Sequence, residues 1–194
     1  MASNTINIGS GDGVVGMFFY GATTVTLPED ISGITSAALT AAGLTEVGEV
    51  SSDGISISNN GSKEELKNWA GATRRVVFTD PGYEVSVPVI SSTADSFEAI
   101  FGSSVVTTVP ASGTHGNTVK VTLDGQNHSG EQAFLLLGKD GDDHFIIGIP
   151  DGTVTVEDEI SFVDGELVTW PAKIVTGKGG MFIVKDDGQV EESS

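Results

Sequence analysis

The chain has 194 residues, 27 acidic against nine basic side chains, a formal charge of −18 and no cysteine. Such a charge excludes a protein that wraps DNA or coats anionic lipid, since phosphate binding needs Lys and Arg. A negative surface can still line a passage that repels nucleic acid, or simply keep the chain soluble, and the missing cysteines exclude disulfides, thiol nucleophiles and cysteine metal sites.

The length suits one domain, with or without extended arms. The N-terminus lacks the basic-then-apolar profile of a signal peptide, and the longest apolar runs are too short to cross a membrane. Twenty-six glycines, with abundant Ser, Thr and Val, point to strands joined by tight turns.

Residues 1–43 are expected to form an extended N-terminal arm. Gly9, Gly11, Gly13 and Gly16 make its start flexible, and residues 14–20 are apolar enough for a short strand. Residues 28–43 carry Ile31, Ile34, Ala38 and Ala42 among Ser, Thr and Gly, with room for a helical turn or two. A free arm is not easily held still. Ile31 and Ile34 are therefore candidate contacts with a neighbouring subunit, a core within the same chain being the other place for them.

Residues 47–57 suggest a strand pair or a bent strand, with Ile55 and Ile57 alternating with Ser56 and Ser58. Ser62 and Glu65 have capping-box spacing. Leu66, Trp69 and Ala70 fall three and four apart, which predicts a short helix anchored by Leu66 and Trp69 and stopped by Gly71. Residues 75–79 and 83–90 are strand-like, with Asp80, Pro81 and Gly82 as the turn of a hairpin. Pro88 implies an edge or a bulge. A second helix is expected over 94–101, with Phe97, Ile100 and Phe101 as its buried anchors and Gly102 as its stop.

Residues 103–118 suggest a loop. Val119, Val121 and Leu123 then alternate with polar neighbours. Residues 132–137 and 144–150 bracket a turn, 153–156 alternate Thr and Val, and 166–176 and 181–185 form the last strands around Gly177, Gly179 and Gly180. The segment 186–194 is an acidic tail, flexible or ordered only against a partner. The expected fold is mainly β: a β-sandwich or partly closed barrel of about eight strands with two short flanking helices. Its divisions are an arm over 1–43, a domain over 44–185 and a tail over 186–194.

Chemistry is hard to place. His115, His128 and His144 lack metal-ligand spacing. The turn Asp140, Gly141, Asp142 and Asp143 fails the calcium-loop pattern, which needs Glu where Asp151 stands, and suits a hairpin tip instead. The glycine-rich start lacks the Lys-Ser or Lys-Thr of a phosphate loop. Ser91 and Ser92 show no nucleophile elbow. No catalytic residue, metal or cofactor is expected, and the chain is not expected to be an enzyme. Glu157, Asp158 and Glu159 form the densest acidic run, either a solvated turn or, in a ring, a surface facing a shared channel. Arg74 and Arg75 are the only adjacent basic pair. They can neutralise acids within the fold or across a subunit boundary.

Several pieces together resemble the tail tube proteins of long-tailed bacteriophages. Leu44-Thr-Glu-Val-Gly-Glu-Val-Ser-Ser-Asp-Gly is similar to the opening of that family's core. The strand at 55–58, the helix expected at 64–69, the strand at 84–89, Phe97-Glu-Ala-Ile-Phe-Gly, Trp170-Pro-Ala and the strand at 181–184 follow in the family's order. The likeness covers about residues 44–185. It implies a sandwich-like subunit, self-associating into hexameric rings that stack as a hollow tube through which DNA is ejected. It also implies a place in the virion tail after assembly in the host cytoplasm, and contacts with tape-measure, terminator and distal tail proteins. The arm, and a loop near 59–75, would reach neighbouring rings. Glu49 departs from the aromatic that many relatives carry there, and no immunoglobulin-like domain follows the tube domain. A head–tail joining or decoration protein, a sandwich-type carbohydrate-binding module with exposed aromatic platforms, and a hydrolase are the other readings.

Overall fold

The computed structural model describes residues 17–30, 34–51, 53–79, 82–123, 129–140, 143–156, 159–165 and 167–186. In chain order the elements are β1 (Met17–Gly21), α1 (Ser36–Ala41), β2 (Leu44–Glu49), β3 (Ser56–Asn59), β4 (Ser62–Lys67), β5 (Thr73–Thr79) and β6 (Tyr83–Val89). There follow α2 (Ala94–Phe101), β7 (Val106–Val109), β8 (Thr118–Val121), β9 (Gln132–Asp140), β10 (Asp143–Thr155), β11 (Trp170–Thr176) and β12 (Phe182–Asp186). Eight strands form one antiparallel sheet in the order β2-β1-β9-β10-β11-β6-β3, with β12 also on β10. The β4–β5 and β7–β8 pairs are separate two-stranded sheets.

β10 organises the sheet. Its first half pairs with β9 on one side and β12 on the other. Register shifts between Ile149 and Gly152, and the second half takes β11 in place of β12. Pro150 lies in that break, where its missing N–H removes a ladder donor. Gly152 then lets strands approach: a Cβ there would stand 2.9 Å from Ile174 Cγ2.

The central strands are apolar on both faces, as strands buried on both sides must be. Phe18 of β1 and Phe134 and Leu136 of β9 enter one core; Met17, Phe19, Leu135 and Leu137 enter another. Phe18 and Phe134 stack at 5.8 Å between ring centroids. The first core also holds Val47 of β2 and Val85 and Val87 of β6. Strands near opposite ends of the path thus meet round one interior, so the sheet curls. The curl brings Val50 beside Val89 in a single bridge, with Ser51 N–H donating to Pro88 O at 2.7 Å and Ile90 N–H to Glu49 O at 3.1 Å. No ladder follows, and among the described residues no closed barrel forms. The sandwich-like character lies in the curled sheet and the barrel expectation stops at this bridge.

α2 packs on the first core. Thr93 and Ser96 cap it reciprocally: Ser96 N–H donates to Thr93 Oγ1 at 3.1 Å and Thr93 N–H to Ser96 Oγ at 2.8 Å. Phe97, Ala99, Ile100 and Phe101 are its buried residues alongside Ser96. α1 covers the second core, where Leu39 joins Leu27, Ile34 and Leu44.

Several expectations are corrected by the structure. The described residues 17–30 and 34–43 of the expected arm pack within the chain: β1 lies inside the sheet between β2 and β9, and α1 packs on the second core that β1 enters. Apolar Met17, Phe18 and Phe19 find partners on both sides, which outweighs the small-residue composition around them. Ser62–Lys67 is a strand and not a helix. β5 pairs back with β4 through the turn at 68–72, where Asn68 N–H donates to Ala72 O at 2.9 Å and Ala72 N–H to Asn68 Oδ1 at 2.9 Å. Gly71, at φ +78°, serves this turn. A capping-box spacing is local, and here the cross-strand ladder overrides it. The two flanking helices are accordingly α1 and α2.

The expected hairpin between 75–79 and 83–90 does not form either, since β6 pairs with β11 and β3. Pro88 lies opposite Pro171 in the interior of the path rather than at an edge. β11 and β12, though joined by a glycine turn, each pair with β10. The expected loop 103–118 includes β7. Residues 1–16 of the expected arm, most of the tail over 187–194, and His128, Gly141 and Asp142 lie outside the described residues.

Candidate assembly surfaces

The β4–β5 hairpin is a sheet of its own and, among the described residues, pairs with no other strand. Directly paired residues share a face. Leu66 opposes Arg75 on one face, and Glu65 opposes Val76 on the other. All four are exposed, Leu66 at 44% and Val76 at 39%. Trp69, at the turn, is fully exposed at 106%. Leu66 and Trp69 are therefore not core anchors; the helical spacing that suggested it corresponds to no packed face. A two-stranded hairpin with solvent on both faces is marginal by itself. Arg74 and Arg75 lie on its second strand, both exposed, and among the described residues neither has an ion-pair partner.

A second apolar surface lies between β10 and β11. Phe162, Val163 and Leu167 are exposed at 72%, 50% and 76%. Phe162 meets the edge of Trp170 at 6.0 Å between centroids, and Trp170 meets Phe97 at 4.8 Å and Phe101 at 6.3 Å. Trp170 Nε1–H donates to Ser92 Oγ at 2.9 Å, which fixes the indole and satisfies its donor. The outermost ring of this aromatic cluster thus faces solvent while the inner rings belong to the first core. Glu159 and Asp164, beside it, are exposed. Glu157 and Asp158 lie outside the described residues.

Among the described residues, β3 and β12 each have one ladder partner, and β2 has one ladder partner beside its single bridge to β6. Their free edges are open to further pairing. Ile34, expected at a subunit contact, is 5% exposed and packs in the second core of its own chain. Ile31 lies outside the described residues. Phe97, Ile100 and Phe101 sit at 9%, 1% and 5% exposure under α2.

Charge inside the fold is arranged sparingly. Lys173 Nζ reaches Glu84 Oε2 at 4.0 Å and Lys185 Nζ reaches Asp143 Oδ2 at 2.8 Å. The Tyr20 hydroxyl donates to Glu98 Oε2 at 3.4 Å. Burial, followed by the negative charges of Glu98 and Asp95, pushes Tyr20 up to about 12. His115 sits at the tip beyond β7, its Nδ1 2.7 Å from Gly116 O, and His144 is the second residue of β10, with a buried Nδ1. Among the described residues no cluster of three or more His, Cys, Asp or Glu could hold a metal ion. No helix among them is long and apolar enough to cross a membrane.

Sequence reasoning missed the hairpin as a projecting surface. The available signal was Thr73-Arg-Arg-Val-Val-Phe-Thr, a β-rich run preceded at short range by a glycine turn. The Phe162 loop carried no periodic signal. In comparison with known proteins, a family model described as phage tail tube protein matches residues 10–176, which ends with the last residue of β11. No curated protein matches the chain.

Proposed function

The chain belongs to this phage tail tube family, and from that membership we propose that it is the structural subunit of a hollow tail tube, its copies closing into hexameric rings that stack. The family match over most of the chain carries the reading. Three physical features support it. The β4–β5 hairpin, residues 62–79, overlaps the span 59–75 expected to reach a neighbouring ring and presents Leu66, Trp69 and Val76 to solvent. The sheet has open edges that another copy can extend. The formal charge of −18 repels a DNA backbone, so DNA slides through a wall of these subunits without being held.

Function is then passive. Geometry and electrostatic repulsion act, and no turnover is required. Glu157 and Asp158 of the acidic run are proposed to face the lumen, and its last residue Glu159, with Arg74 and Arg75, to lie at a subunit boundary. Tape-measure, terminator and distal tail proteins are the proposed further partners, and the virion tail the proposed location. Electron microscopy of the purified protein over a range of concentrations and salt tests this. Hollow tubes or rings of uniform diameter are expected; monomers under every condition refute it. Trp69 also stands as an exposed aromatic, the feature a carbohydrate-binding module would need, and a glycan screen with a clear hit would favour that reading instead.

A further inference from the structure

The hairpin and the Phe162 loop are opposites in charge and alike in apolarity. Residues 62–79 hold Lys63, Lys67, Arg74 and Arg75, four of the chain's nine basic residues and both of its arginines, against Glu64 and Glu65. Residues 157–167 hold five acids, Glu157, Asp158, Glu159, Asp164 and Glu166, and no basic residue. Each segment also exposes large apolar side chains: Leu66, Trp69 and Val76 on one, Phe162, Val163 and Leu167 on the other.

We propose that these are the two halves of one contact, the β4–β5 hairpin of one copy seating Trp69 against the Phe162–Trp170 edge of a second copy, with Arg74 and Arg75 meeting Glu159 and Asp164. The proposal rests on the self-association proposed above and adds the mated surfaces. A second copy is the occupant that charge selects. Bodies carrying −18 repel one another over most approaches. The hairpin is where cations are concentrated, and the loop is a purely acidic apolar surface that every copy carries. Complementary charge fixes register and steers encounter, while the buried aromatic supplies the anchor. Phe162 is suited to receive it because its ring lies on Trp170, itself locked by Ser92, Phe97 and Phe101. The receiving surface is thus preorganised on the core, and the hairpin offers Glu65, Leu66, Arg75 and Val76 exposed on its two faces. Because the two patches differ, the contact is heterologous: it propagates from copy to copy, giving a ring where rotation closes and a filament where it does not.

The natural absence of cysteine makes the test direct. Ala70→Cys and Val163→Cys, exposed neighbours of the two mated rings that leave both rings in place, are prepared separately, mixed in equal amounts, allowed to assemble and oxidised mildly. A disulfide-linked dimer in the mixture, and in neither variant alone, is the expected result. In parallel, the double variant Arg74→Glu/Arg75→Glu should raise the concentration needed for assembly on the order of tenfold or more. Glu159→Arg/Asp164→Arg mixed with it should restore assembly. Tubes that form without the mixed dimer, or charge reversals that do not rescue each other, overturn this contact while leaving the tube reading intact. A parent protein that never associates overturns both.

Discussion

Trp69→Ala separates assembly from folding. In the free subunit the indole is at 106% of its reference exposure, so truncation removes no packing, and unfolding should stay within about 0.5 kcal/mol of the parent. Seated against another copy, a tryptophan covers roughly 150–250 Å². At about 25 cal/mol/Å² that corresponds to roughly 4–6 kcal/mol of gross burial. Ordering the hairpin and the lost freedom of association offset part of it, leaving about 2 kcal/mol or more as the cost of truncation. Association should then weaken about 30-fold. Sedimentation across a concentration series measures the association. Urea unfolding at dilution, followed by fluorescence of Trp170 as the remaining tryptophan, measures the fold. Assembly of the variant at the parent's concentration would refute an anchoring role for Trp69, and unfolding more than about 1 kcal/mol more easily would refute its exposure, since surface positions do not carry such costs.

Phe101→Ala should do the reverse, costing about 3–5 kcal/mol in monomer unfolding by emptying the α2 contact with Phe97 and Trp170; a loss below about 1 kcal/mol would mean that α2 is not anchored as described. Tyr20 keeps its proton to about 12 in the fold, whereas an unfolded tyrosine titrates near 10. Its folded pKa is raised, so its contribution is fully present below about pH 10 and is lost as pH climbs toward about 12. Tyr20→Phe should flatten this alkaline loss in pH-dependent unfolding; an identical decline in parent and variant would exclude Tyr20 as its source. Gly148→Val should displace the Phe182 ring, which lies where the new Cβ would stand, and loosen β12 from β10. The expected cost is about 1–3 kcal/mol, read as faster amide exchange over 182–186, and unchanged protection there would refute it.

The parts legible in the sequence were those whose local pattern and tertiary fate agree. In α2, Phe97, Ile100 and Phe101 have the spacing of one helical face, and that face is buried. The turn after 132–137 and before 144–150 is the β9–β10 hairpin, with Asp140 opposite Asp143. The segment 62–71 shows the opposite case. Leu66, Trp69 and Ala70 satisfy helical spacing in a window of ten residues, but no core receives them, so the period carries no packing information. Apolar Met17, Phe18 and Phe19 resemble the edge of an arm only until a sheet is available to bury both sides.

Taken alone, the sequence determined a mainly β chain, the second helix with its aromatic anchors, an acid excess hostile to DNA capture, and a likeness to tail tube proteins. Tertiary structure alone decided that β1 lies within the sheet between β2 and β9, that Ile34 is core, and that the β4–β5 hairpin forms a sheet of its own with Trp69 in solvent. The physical reason lies in the range of the forces involved. Helical faces, caps and turns are written over a few neighbouring residues, whereas β1 meets β9 across more than a hundred residues and β6 meets β11 across more than eighty. Such pairings depend on which surfaces remain unburied once the others have met, and that is a property of the folded chain.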